Sequence, residues 1–159
     1  MTTIVWDGKT LAADGRCTAS NRVVQQDRLK IFMDGISRVR GSTVICYAVA
    51  GAADMESRIG QWIAEGCPVT DDFEACEFEA IIITEDSAYV YYDNSNDLFN
   101  CLTKEALGSG YDFAHSALTL KMDAVKAVKH AASIDIFSGG EGAFVNCRSK
   151  KPMLKRFTV

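Results

Sequence analysis

Two short runs, Thr3-Ile4-Val5-Trp6 and Lys9-Thr10-Leu11-Ala12-Ala13, flank the pair Asp7-Gly8. Asp-Gly between runs of this kind predicts a two-residue hairpin turn. In that register Trp6 faces Lys9, Val5 faces Thr10, Ile4 faces Leu11, and Thr2 lies opposite Ala13, so Asp14 comes to the first residues of the chain. A strand region is expected over 23–32 and a turn at Asp34-Gly35. The near-continuous apolar run 42–50 reads as a strand buried on both faces. Met55, Ile59, Trp62 and Ile63 then recur at helical spacing, predicting a helix over 52–65 that Gly66 ends.

Further on, 79–84 and 88–92 form a second predicted hairpin, extended by a short strand over 98–102. Gly108-Ser109-Gly110 opens a helical region over 111–133, broken near Met122-Asp123, and two last strands fall near 143–147 and 153–158. Strands, one helix, strands, two helices, strands: this order predicts an α/β (α+β) protein, a four-layer αββα sandwich of two mostly antiparallel sheets. With no repeat, no low-complexity segment and only two prolines, residues 1–159 are expected to form one domain.

Composition narrows the function. A net charge of -4 argues against a phosphate-backbone binder, and the basic stretch from Arg148 to Arg156 reads as a solvated edge. The apolar run 43–53 is far shorter than the roughly 20 residues of a membrane helix. The six cysteines contain no Cys-x-x-Cys pair and no histidine at metal spacing, so neither metal nor cofactor is expected. No secretory segment follows Met1, which predicts reduced thiols and a cytoplasmic location. His115 and His130 both fall within predicted helices, where nothing places a nucleophile beside them.

Thr2 remains. Removal of Met1 would leave an α-amine with an ordinary pKa of about 7.7–8.0, partly neutral near pH 7 to 8. Such an amine can accept the proton of its own residue's hydroxyl, so one residue supplies nucleophile and base. Thr2 alone is almost no signal. Its context is more specific: Thr2-Thr3-Ile4-Val5, then Ala13-Asp14-Gly15-Arg16-Cys17-Thr18, Lys30 sixteen residues beyond Asp14, Ala50-Gly51-Ala52-Ala53-Asp54, Gly108-Ser109-Gly110 and Asp135-Ile136-Phe137-Ser138-Gly139.

In this order the landmarks resemble the proteasome β-subunit and HslV-like peptidases, which are N-terminal-nucleophile (Ntn) hydrolases. The resemblance implies Thr2 as nucleophile, Lys30 as the ammonium that lowers proton affinities beside it, and Asp14 as the anion that fixes Lys30. It places Ser109, Asp135 and Ser138 around the α-amine, although each alone reads as a helix cap or turn residue. The N–H of Gly51, at a strand-to-helix turn, suits an oxyanion hole because glycine lets substrate approach the amide closely. Thr18 matches a position whose backbone pairs with an extended peptide. Cys17, Val49 and Ala53 match positions lining the first specificity pocket, and Arg28 is expected within its reach, favouring an acidic or polar group.

The resemblance further implies a peptide or unfolded-protein substrate, a homo-oligomeric ring and an AAA+ unfoldase partner. Two departures stand out. The first hairpin is three residues shorter than in HslV. The stretch 66–78, with Pro68, Asp71 and Asp72, leaves room for only a turn or two where relatives carry a second helix, which puts a closed double ring in question. Three functions stay open: a threonine-type peptidase, an Ntn amidohydrolase acting on a small amide, and a non-catalytic shell subunit.

Overall fold

The computed structural model describes residues 1–101 and 103–159. The chain begins with β1 (Thr3–Trp6), β2 (Thr10–Ala13), β3 (Cys17–Ala19) and β4 (Arg22–Gln25). Next come β5 (Ile31–Met33), β6 (Arg38–Val39), β7 (Ser42–Gly51) and the helix α1 (Ala53–Ala64). The middle contains β8 (Phe78–Thr84), β9 (Ala88–Tyr91), β10 (Phe99–Asn100) and β11 (Glu105–Gly108). Helices α2 (Tyr111–Thr119) and α3 (Ala124–Ala132) precede β12 (Glu141–Asn146) and β13 (Leu154–Thr158).

One sheet has the order β11-β1-β2-β12-β13 and the other β10-β9-β8-β7-β5, with β6 beside β7 and β3–β4 as a separate hairpin. Every pairing is antiparallel. Ile4, Trp6 and Leu11 of one sheet meet Ala48, Ile81 and Val90 of the other in an inter-sheet core. Val5, Ala12 and Ala106 point the opposite way, under α2 and α3. Val49, Ala80 and Ile82 pack beneath α1. These are the four αββα layers, and strand alternation assigns each residue to its layer.

The first hairpin departs from the predicted register. Trp6 pairs with Leu11, Val5 with Ala12 and Ile4 with Ala13, so the loop has four residues. The cause is the Asp7 side chain: Oδ1 accepts the N–H groups of Lys9 (3.0 Å) and Thr10 (2.8 Å), a local turn that competes with the tight hairpin. Oδ2 of Asp7 also accepts the N–H of Ala124 at 2.9 Å, capping α3 from across the fold. A shift of two residues leaves each side chain on its predicted face. Asp14 still reaches the chain's start, with its N–H donating to the Thr3 carbonyl at 3.1 Å.

Other boundaries changed for similar local reasons. The strand expected over 23–32 is two strands, β4 and β5, separated by a bend that leads Lys30 into the interior. The expected strand over 98–102 is reduced to β10, with position 102 outside the described residues. β11 was not predicted; it pairs with β1 and sets Gly108 opposite Thr3. The helical region 111–133 is broken as expected, where Asp123 caps α3 by accepting the Lys126 N–H at 2.9 Å.

Between α1 and β8 the described residues contain no second helix. An aromatic plug covers the sheet there instead. Phe73 is 3% exposed and meets Trp62 and Phe78 edge-on at 5.2 Å each, while Phe78 stacks on Tyr91 at 4.7 Å. Trp62 Nε1 donates to the Pro68 carbonyl at 2.8 Å, which ties the short segment to α1. Each such aromatic pair adds about 0.5–1.5 kcal/mol beyond simple burial.

Candidate active site

Seven sequence-distant positions converge at one end of the sandwich because each sits at the end of an element. Thr2 precedes β1, Asp14 follows β2, Lys30 precedes β5 and Gly51 ends β7. Ser109 follows β11, and Asp135 and Ser138 follow α3.

Asp14 is the hub. The residue is 1% exposed, and its carboxylate accepts four hydrogen bonds: Thr3 N–H (2.9 Å) and Lys30 Nζ (2.8 Å) on Oδ1, Arg16 N–H (3.2 Å) and Gly139 N–H (2.9 Å) on Oδ2. Lys30, also buried, places its remaining protons on the carbonyls of Arg16 (2.6 Å) and Met1 (3.1 Å). Burial pushes the Lys30 ammonium below its ordinary pKa, against the opposing pull of Asp14. An exposed pair of this kind would be worth about 0–1 kcal/mol. A buried pair is different, because removing one partner strands the other's charge.

The two neighbouring threonines differ. Thr3 Oγ1 lies 2.6 Å from Ser138 Oγ, which in turn donates to Asp135 Oδ2 at 2.6 Å. Ser109 Oγ lies 3.0 Å from Asp135 Oδ2 and 3.4 Å from the Thr2 carbonyl. Its single proton goes to the carboxylate, the shorter and charged partner. Thr2 is only 6% exposed, yet among the described residues its hydroxyl makes no hydrogen bond, and it lines a cleft of about 750 Å³. Of the two hydroxyls, Thr2's is the free one.

Glycines allow this crowding. A Cβ on Gly108 (φ +89°) would lie 2.0 Å from the Thr2 carbonyl oxygen, and one on Gly110 would lie 1.9 Å from Thr3 Oγ1. At Gly51, also on the cleft wall, a Cβ would meet Phe78 Cβ at 2.7 Å. The Gly108 N–H donates to Glu79 Oε2 at 2.9 Å, and burial raises the pKa of that carboxyl.

The expected pocket residues are placed less uniformly. Thr18 Oγ1 accepts the Met1 amine at 3.2 Å, so the first residue runs alongside β3. Cys17 is half-buried on the same strand, outside the cleft lining. Ala53 opens α1, between Ala52 and Asp54, which do line the cleft. Val49 faces away: strand alternation turns Ala48 and Ala50 between the sheets and Val49 beneath α1. Arg28 is occupied by a 2.8 Å ion pair with Glu56 and does not line the cleft.

Other residues form the cleft wall that sequence reasoning passed over. Asp54, Met55 and Arg58 share one face of α1, a spacing of three and four residues that could have been read from the sequence. Across from them stand Cys76 and Glu77, brought there by the short 66–77 segment that replaces a helix. Arg58 Nη2 donates to the Asp72 carbonyl at 3.0 Å, joining the two walls. Arg16 was also missed; its guanidinium holds the Ile136 carbonyl at 2.7 Å and packs against Gly139. Neither His115 nor His130 reaches the site, and His115 stacks on Tyr111 at 5.5 Å. No group of three or more His, Cys, Asp or Glu side chains could hold a metal ion among the described residues. No described helix is long and apolar enough to cross a membrane.

This arrangement of two antiparallel sheets between helices matches solved structures along nearly its whole length. Eukaryotic HslV from Trypanosoma brucei superposes with a TM-score of 0.62 at 19% identity, covering 90% of this chain and 96% of that one. The chain has the fold of HslV. Thiobacillus denitrificans BPH superposes with a TM-score of 0.65, also at 19% identity, over 90% of this chain and 95% of its own. No family model matches the sequence, and no curated protein does. The four-layer αββα fold is thereby shared with these structures at low sequence identity.

Proposed function

We propose that the protein is a threonine-type peptidase in which Thr2, freed by cleavage of the Met1–Thr2 bond, is both nucleophile and base. The observation that carries this reading is the free Thr2 hydroxyl at the cleft, one residue from the buried Asp14–Lys30 pair. Loss of Met1 removes one of the three acceptors of Lys30, and that N–H then turns toward Thr2. The ammonium lowers the proton affinity of the nearby α-amine and hydroxyl by like-charge and dipolar effects.

The neutral amine takes the hydroxyl proton, directly or through a water, and Oγ1 attacks the substrate carbonyl carbon. The Gly51 N–H receives the developing oxyanion. Collapse of the tetrahedral intermediate breaks the C–N bond, and the ammonium of Thr2 protonates the leaving amine. Water, activated by the same amine, then hydrolyses the ester and restores Thr2. The Ser109–Asp135–Ser138 network braces this terminus through the Thr3 hydroxyl, with Ser109 Oγ packed 3.4 Å from the Thr2 carbonyl oxygen. An extended peptide adds beside β3, along the path Met1 now takes to Thr18. The homo-oligomeric ring and the unfoldase implied by the sequence resemblance, and the cytoplasmic location expected from the sequence, belong to this proposal.

The test is a protein released from a cleavable N-terminal fusion so that Thr2 is its first residue. It should cleave fluorogenic peptides, retain part of that activity as Thr2→Ser and lose it as Thr2→Ala, while all three keep the same circular dichroism. Cleavage by Thr2→Ala at the parent rate would exclude the mechanism.

A further inference from the structure

At the other end of the inter-sheet core two cysteines meet, 101 positions apart in sequence. Cys46 Sγ of β7 lies 3.5 Å from Cys147 Sγ, one residue past β12. They belong to different sheets. The contact depends on a backbone irregularity: the β7–β8 register shifts between Val44 and Cys46. Strict alternation would put these two on one face. Instead Val44 packs beneath α1 and Cys46 turns into the inter-sheet core.

The pair is asymmetric. Cys46 is completely buried. Cys147 is 3% exposed and lines a cavity of about 390 Å³ that opens to solvent between Asp34, Glu85, Arg148 and Lys150. In the neutral pair the Cys147 thiol faces the Val145 carbonyl at 3.5 Å. As a thiolate, Cys147 accepts from the Cys46 thiol, with a backbone N–H of Leu11 and the Arg148 guanidinium adding to its stabilisation, and its pKa is lowered. Cys46, buried and donating to Cys147, is held well above its ordinary value. Arg148 is fixed there by the Thr84 carbonyl (2.7 Å) and the Trp6 ring (5.4 Å).

The geometry points to Cys46 and Cys147 as a peroxide-reactive dithiol that closes into a disulfide joining the two sheets. The Cys147 thiolate attacks one oxygen of hydrogen peroxide, the O–O bond breaks, and the leaving hydroxide takes a proton to become water. Cys147 is then a sulfenic acid. Cys46 loses its proton and attacks the Cys147 sulfur, the S–O bond breaks, and a second water leaves. Two thiols and one peroxide give one disulfide and two waters. The site lies five residues along β7 from Gly51, about 17 Å at strand rise, and uses nothing of the proposed peptidase machinery.

The reduced protein is treated with limiting hydrogen peroxide, unfolded with an alkylating agent and digested without reductant. A peptide pair joined through Cys46 and Cys147, lost on reduction, is the expected dominant cross-link. The thermal midpoint of the oxidised protein should rise by on the order of 10 °C over the reduced form. In Cys46→Ala the sulfenic acid on Cys147 should persist and react with dimedone. Recovery of both cysteines alkylated in the treated wild-type protein overturns the inference. So does recovery of Cys147 as a sulfinic acid beside an alkylated Cys46, because Cys46 would then not resolve the intermediate.

Discussion

The Asp14 carboxylate holds the Lys30 ammonium at 2.8 Å, with side chains 0% and 3% exposed respectively. Their Coulomb attraction offsets a desolvation cost of several kcal/mol per ion, so a pair like this contributes little net stability. The same pair nevertheless organises the fold locally, because Asp14 also fixes the N–H groups of Thr3 and Gly139.

Asp14→Ala should lower unfolding stability by about 3–5 kcal/mol, since it strands Lys30 and the three backbone donors of Thr3, Arg16 and Gly139. The double replacement Asp14→Asn, Lys30→Met should recover much of that loss in urea denaturation while leaving peptide cleavage abolished. A double variant as unstable as Asp14→Ala would show that the pair is structural.

The lowered pKa of Lys30 has a definite sign in stability. Between its folded value and about 10.4 for a free lysine, the unfolded chain binds more protons than the folded one. The Lys30 contribution to stability therefore rises with pH through that window. Subtracting the Lys30→Met stability curve from the wild-type curve should give a positive slope on the alkaline side; a flat or falling difference contradicts it. On the proposed mechanism the acid limb of kcat should report the Thr2 amine, and Lys30→Met should move that limb to higher pH.

Phe73 carries the short segment that stands in for a helix. Phe73→Ala empties the space among Trp62, Phe78 and Tyr91 and should cost about 3–5 kcal/mol, read from the denaturation midpoint. Because Cys76 and Glu77 of that segment wall the cleft, KM should rise more than kcat falls. An unchanged KM would mean that the segment does not contact substrate.

The chain's own pattern determined the layers. Alternation in Ile4-Val5-Trp6 and the 3.6-residue recurrence of Met55, Ile59 and Ile63 are local properties, and burial follows them with each side chain on its expected face. The sixteen-residue spacing of Asp14 and Lys30 was legible only through the resemblance to the peptidase family; the apolar run 23–32 placed Lys30 inside a strand, whereas β5 begins just after it. Only the tertiary structure decided the hairpin register, since Asp7 chose a turn that also caps α3, more than a hundred residues away. It alone tied the Thr3 hydroxyl to Ser138 and left Thr2's free, and it engaged Arg28 with Glu56. Those outcomes depend on where separate elements end relative to one another. Periodicity along one chain carries no information about that; packing of both sheets and three helices does.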